Sequence, residues 1–99
     1  PVSALILTSQ NSAAAAARMG FPPGTRAWCV GDQTARAARQ GGLVPASAQG
    51  DAEALVALIL HSGEGGPLLH LRGEHARGDI VARLSARGVP AQDLVVYRQ

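Results

Sequence analysis

Five short apolar runs alternate along the chain with four helix-forming stretches, and no hairpin-type dipeptide joins any two of them. Strands without tight turns between them are connected by crossovers, which require a parallel sheet carrying helices on both faces. The predicted strands are residues 4–7, 26–30, 43–46, 68–71 and 93–97. The first of these, Ala4-Leu5-Ile6-Leu7, is apolar at every position, the pattern of a strand covered on both sides. Pro45 weakens the third, since proline removes a ladder donor.

The predicted helices carry recognisable starts and stops. Asn11 or Ser12 caps the alanine run 13–17, and Gly20 with residues 21–24 ends it. Asp32-Gln33-Thr34 opens a second helix that turns Ala35 and Ala38 inward and Arg36 and Arg39 outward before Gly41-Gly42. Asp51 caps a third, in which Leu55, Leu58 and Ile59 share one apolar face until residues 63–67. The fourth covers 79–87, with Ile80, Val81 and Leu84 inward and Asp79 placed to pair with Arg83; Gly88 stops it. The predicted fold class is therefore α/β, a single domain with a flavodoxin-like five-stranded parallel sheet in the order 2-1-3-4-5.

At 99 residues and 46% hydrophobic content, the chain can bury one modest core and no second domain. Nineteen alanines and twelve glycines are balanced by 22 leucines, isoleucines and valines in separate clusters, which favours a packed interior over low complexity. A net charge of +2, from nine arginines and no lysine against seven acids, is too small for a dedicated nucleic-acid binder or a polybasic membrane tail. The single cysteine, Cys29, cannot form an internal disulfide and sits in an apolar strand, the usage of a reducing compartment. A cytoplasmic location is expected, with no membrane partner, because no apolar stretch approaches a bilayer span and Pro1-Val2-Ser3 is no leader. The missing initiator Met points to a piece of a longer chain.

Ligands of such sheets gather at the carboxyl ends of the strands beside the helix N-termini. Here those ends are Thr8-Ser9-Gln10-Asn11, Gly31-Asp32-Gln33-Thr34, Ala46-Ser47-Ala48, Arg72-Gly73-Glu74-His75 and Tyr97. The rim lacks a G-x-G-x-x-G fingerprint, and a chain without lysine cannot build a P-loop. It also lacks the acidic cluster with which a receiver domain holds its divalent cation. Thr8-Ser9-Gln10-Asn11-Ser12 loosely resembles the hydroxyl-rich phosphate loop of flavodoxins, but the loops lack aromatics to sandwich a flavin. His61, His70 and His75 show no metal-ligand spacing, so no metal is expected, and His70 reads as a core or half-buried histidine. Ser9 and Thr34 serve either as helix caps or as anion-facing hydroxyls. Arg72 pairs either with a ligand carboxylate or within the fold. Tyr97, the only tyrosine, either packs at a strand end or reaches the rim through its hydroxyl.

Leu5-Ile6-Leu7-Thr8-Ser9-Gln10-Asn11-Ser12, Val30-Gly31-Asp32-Gln33-Thr34-Ala35, Asp51-Ala52-Glu53-Ala54-Leu55, Leu69-His70-Leu71-Arg72-Gly73 and Val95-Val96-Tyr97-Arg98 stand in an order and spacing that resemble uroporphyrinogen-III synthase over essentially the whole chain. The resemblance implies a lyase of two similar α/β domains joined by a two-stranded hinge. This chain would be the domain formed by one continuous central segment, with Pro1-Val2 and Arg98-Gln99 as hinge stubs. It implies a substrate, the linear tetrapyrrole hydroxymethylbilane with its eight carboxylates, and a complementary domain of the same enzyme as partner. No cofactor is implied. Carried over by position, Tyr97 matches the tyrosine proposed to assist departure of the substrate hydroxyl. Ser9 and Thr34 match hydroxyls facing the cleft, while Gly31, Gln33 and Gly73, with Thr8, Asn11 and Arg72 beside them, fall in cleft-lining segments as substrate-binding candidates. Arg72 has no secure counterpart in the family. The competing expectation is a non-catalytic flavodoxin-like binding or regulatory module for an anionic ligand.

Overall fold

The structure, a computed structural model, describes residues 2–74 and 79–98. Nine elements alternate along it: β1 (Ala4–Leu7), α1 (Gln10–Met19), β2 (Arg26–Cys29), α2 (Asp32–Gln40), β3 (Val44–Ser47), α3 (Ala52–His61), β4 (Leu68–Gly73), α4 (Ile80–Ala86) and β5 (Ala91–Tyr97). All strand pairs are parallel, forming one α/β domain of the expected flavodoxin-like, five-stranded type. His75, expected in a loop, lies outside the described residues.

The strand order is a correction: it is 3-2-1-4-5, not 2-1-3-4-5. Pro45 supplies the physical reason. In the expected order the third strand would lie inside the sheet and need ladder donors on both sides, which proline cannot provide. In the observed order β3 is an edge, with Pro45 opposite Ala27 on β2 and, among the described residues, no strand beyond. The change moves the point where the strand order reverses to the gap between β1 and β4.

The two sheet faces are filled differently. On one, Leu5, Leu7, Ala27, Cys29 and Leu71 meet Ala13 and Ala16 of α1 and Ala35 and Ala38 of α2. Alanine stripes let these helices approach the sheet closely, which is the use made of the alanine-rich composition. On the other face, Ala4, Ile6, Trp28 and Leu68 pack under Leu55, Val56 and Ile59 of α3 and Ile80 and Leu84 of α4. All four β1 residues are fully buried, as a continuous apolar run requires.

Local signals place most ends. The cap of α1 is Ser9, not Asn11 or Ser12: Ser9 is extended and its Oγ accepts the Ser12 N–H, while Ser12 Oγ accepts the Ser9 N–H, a reciprocal capping box. Gly20 closes the helix at φ 77°, a left-handed conformation that glycine adopts without Cβ strain. Asp51 caps α3 as expected, its carboxylate accepting the Ala54 N–H at 2.9 Å. Asp79 and Arg83 pair at 4.0 Å. The fourth and fifth strands are longer than expected, β4 continuing through Arg72 and Gly73 and β5 beginning at Ala91. Each gains backbone partners from the other, a pairing that one strand's own sequence does not announce.

Candidate functional site

Open α/β sheets bind ligands outside the strand carboxyl ends where the order reverses, here between β1 and β4. The residues that leave those strands are Thr8 and Ser9 on one side and Gly73 and Glu74 on the other. Ser47, part of the expected rim, is displaced to the far edge, where its hydroxyl donates to Asp32 at 2.7 Å.

Ser9 and Tyr97 converge. Their hydroxyl oxygens lie 3.0 Å apart across 88 residues of sequence. A β-carbon placed on Gly73 would stand 2.6 Å from a carbon of the Tyr97 ring. Glycine at this position therefore lets the ring lie flat against β4 and carry its hydroxyl to the start of α1. Ser9 is at once the cap of α1 and the partner of Tyr97.

A second chain of contacts starts one residue earlier. Register alignment puts Trp28, Ile6, His70 and Asp93 in one row across the sheet, so their side chains share the face covered by α3 and α4. Thr8, two residues beyond Ile6, follows on that face, and its Oγ1 is 3.1 Å from His70 Nε2. His70 Nδ1 is 2.9 Å from Asp93 Oδ1. Burial pushes the His70 imidazole below its ordinary value of 6.5; Asp93 opposes this by hydrogen bond and charge, and Arg72 reinforces it. The ring is neutral at pH 7. Since the carboxylate only accepts, Nδ1 carries the proton, and Nε2 accepts from Thr8. The expectation of a core or half-buried histidine holds, and the identity of its two partners is what sequence reasoning missed. The available signal was an acid, Asp93, opening the apolar run 94–96 of the fifth strand.

The remaining candidates take several places. Arg72 is held within the fold: its guanidinium donates to the Gly73 carbonyl at 3.1 Å and lies 3.4 Å from Asp93. Gln33 and Gln10 join side chain to side chain at 2.9 Å, tying the starts of α2 and α1 together. Beside them is a cleft of about 270 Å³ lined by Gln10, Gln33, Arg36, Ala37 and Gln40, which adds Arg36, a cation the sequence reading had merely turned outward. Asn11 is exposed on the first turn of α1, and Gly31 caps α2 with open space above it. Thr34 is in the first turn of α2 but only 5% exposed, the least accessible of the rim hydroxyls. Ser9, Thr34 and Tyr97 thus share one margin of the sheet. Among the described residues no three His, Cys, Asp or Glu side chains are grouped to hold a metal ion, and burial raises the Cys29 thiol to about 11, leaving it protonated. No helix of the described residues is long and apolar enough to cross a membrane.

A concavity of about 630 Å³ lies elsewhere, among Val2, Pro67, Leu68, Ser85, Pro90 and Gln92 around the amino ends of β4 and β5. Its lining is mainly apolar, with Ser85 and Gln92 as its polar side chains, and the carboxyl margin remains the candidate site. The family model described as uroporphyrinogen-III synthase HemD matches residues 1–99, the full chain. No curated protein matches.

Proposed function

Because the chain belongs to the uroporphyrinogen-III synthase family, we propose that it serves tetrapyrrole biosynthesis as one half of that enzyme's substrate cleft. The other half is a complementary domain of the same enzyme, and the setting is the cytoplasm. The reaction is cyclisation of hydroxymethylbilane: water is lost, the last ring is inverted and the macrocycle closes to uroporphyrinogen III. Departure of the hydroxyl, protonated as water, leaves a positively charged azafulvene that keeps its ring N–H, and this closes at the substituted ring carbon to a spiro intermediate and rearranges. The competing spontaneous closure gives the unflipped isomer, so holding the chain in the productive geometry supplies most of the catalysis. A margin poor in strong acids and bases suits that task.

The observation that carries this reading is the convergence of the Ser9 and Tyr97 hydroxyls where the strand order reverses. Tyr97 O–H protonates or hydrogen-bonds the departing hydroxyl, and Ser9 holds the phenol in place. Free amides at the starts of α1 and α2, at Asn11, Gly31 and Gln33, receive substrate carboxylates. Gly73 shapes the floor under Tyr97. Thr34 lines the second helix start, and Arg72 adds positive potential from beneath the margin.

The test is incubation with freshly generated hydroxymethylbilane, followed by oxidation and separation of the uroporphyrin isomers. The chain alone is expected to give type III at the spontaneous background, and the chain with its complementary domain well above it. Type III from the chain alone overturns the half-cleft reading. No type III from the pair overturns the enzyme reading in favour of a binding module. Tyr97→Phe in the pair is expected to lower turnover at least about tenfold, and unchanged turnover returns Tyr97 to packing.

A further inference from the structure

We propose that Thr8, His70 and Asp93 form a hydrogen-bond chain running in one direction, which presents the Thr8 oxygen to the cleft as an acceptor for a pyrrole N–H of the tetrapyrrole substrate. The inference rests on the proposed function and assigns a role to a group that reading leaves open. Its geometric basis is the pair of contacts at 3.1 and 2.9 Å and their order along the sheet.

Asp93 sits on the edge strand, with its carboxylate fixed as an acceptor. It takes the Nδ1 proton of His70, which leaves a bare Nε2 toward Thr8. The Thr8 hydroxyl must then spend its only proton on Nε2. What remains on the half-buried Thr8 oxygen is lone pairs. A group so committed repels carboxylates and accepts donors, and the substrate's donors are its ring N–H groups. Hydrogen bonds aligned head to tail polarise one another, and an anion at the end of the chain makes the terminal oxygen more negative. When the substrate hydroxyl departs, positive charge spreads onto the pyrrole nitrogen, and its N–H becomes a stronger donor. An acceptor at that atom therefore stabilises the transition state more than the ground state. Tyr97, on the opposite sheet face with Ser9, serves the leaving oxygen, so the two polar clusters act on opposite ends of one bond cleavage. Thr8 is the group that touches substrate; His70 and Asp93 are positioning residues.

Two measurements test this on the domain joined with its complementary domain. ¹⁵N NMR at neutral pH reads the His70 tautomer, expected to be protonated at Nδ1 and bare at Nε2, with Asp93→Asn shifting population toward the Nε2–H form. Kinetics with hydroxymethylbilane compare Thr8→Val and Thr8→Ser. Thr8→Val is expected to lower kcat about ten- to hundredfold with a smaller change in KM, the worth of one hydrogen bond to a charged group; Thr8→Ser stays within about threefold of wild type. An Nε2–H tautomer in the wild type, or a Thr8→Val enzyme with wild-type kcat, overturns the inference while leaving the enzyme reading intact. A wild-type pair that makes no type III isomer removes the enzyme reading and this inference with it, whatever the tautomer.

Discussion

The two ends of the sheet each hold a polar cluster built from contacts between residues distant in sequence, yet they are finished differently. At the amino end, Glu64 is 4% exposed at its side chain and takes two donors on each oxygen: Arg26 and the Trp28 indole on Oε1, the Ser3 hydroxyl and the Gly66 N–H on Oε2. Burial works against its charge, but the Gly66, Ser3, Trp28 and Arg26 donors outweigh that and hold its carboxyl below the ordinary 4.5. At the carboxyl end, the chains through Thr8 and Ser9 stop at half-buried hydroxyls. A closed cluster knots strands together, whereas an open one keeps hydrogen-bonding capacity for a ligand. The contrast separates polarity closed within the fold from polarity that still has hydrogen-bonding capacity to offer, within one small domain.

Breaking the closed cluster is expected to have the largest effect on stability. Glu64→Ala strands the Trp28 and Gly66 donors and should cost about 3 kcal/mol, read as a shift in the urea midpoint; a loss under about 1 kcal/mol would place Glu64 among ordinary surface ion pairs. Ser9→Ala comes next. It removes a helix cap, worth about 1 kcal/mol, and a substantially larger loss by the same measurement would mean that the Tyr97 contact is also structural.

Acid sharpens the comparison further, because each cluster holds one group shifted downward. A lowered value means that the folded state binds fewer protons than the unfolded one as pH falls past the ordinary value, so stability declines there. For His70 the decline begins below 6.5, and for Glu64 below 4.5. Urea midpoints followed against pH should show both steps, the first vanishing in His70→Gln and the second in Glu64→Gln. A first step that survives His70→Gln would assign it to another group. The smallest stability change is expected for Gly73→Ala. The Tyr97 ring can swing away from the added carbon, so folding should change by less than about 1 kcal/mol, while synthase activity of the paired domains falls as far as in Tyr97→Phe. Loss of activity without loss of stability would mark Gly73 as shaping the site; the reverse would make it a packing residue.

Much of this architecture was legible residue by residue. The apolar run of β1, the Asp51 cap and the glycine stops act over a turn or two of chain, and they appear where the local pattern puts them. Ser9 was readable both as a helix cap and as a rim hydroxyl, but Asn11 and Ser12 offer the same capping chemistry, and only the extended backbone at Ser9 decides among the three. Pro45 held the clue to strand order, and its full consequence, an edge position for β3, emerges only once the neighbours of that strand are known. The site was half legible: Thr8, Ser9, Gly73 and Tyr97 were expected at the margin, whereas His70 was expected only as a core residue and Asp93 was given no site role.

By itself, the amino-acid sequence determined the alternation of strands and helices, the parallel sense of the sheet and roughly where each strand lies, because turn chemistry and apolar periodicity are properties of neighbouring residues. It also carried the motifs that belong to the uroporphyrinogen-III synthase family. Only the tertiary structure decided which strands lie side by side, and with that which polar groups meet. Thr8 with His70, separated by 62 residues, and Ser9 with Tyr97, by 88, become partners through strand order and register. Periodicity tells a side chain which face to occupy; packing of the whole sheet chooses its neighbour.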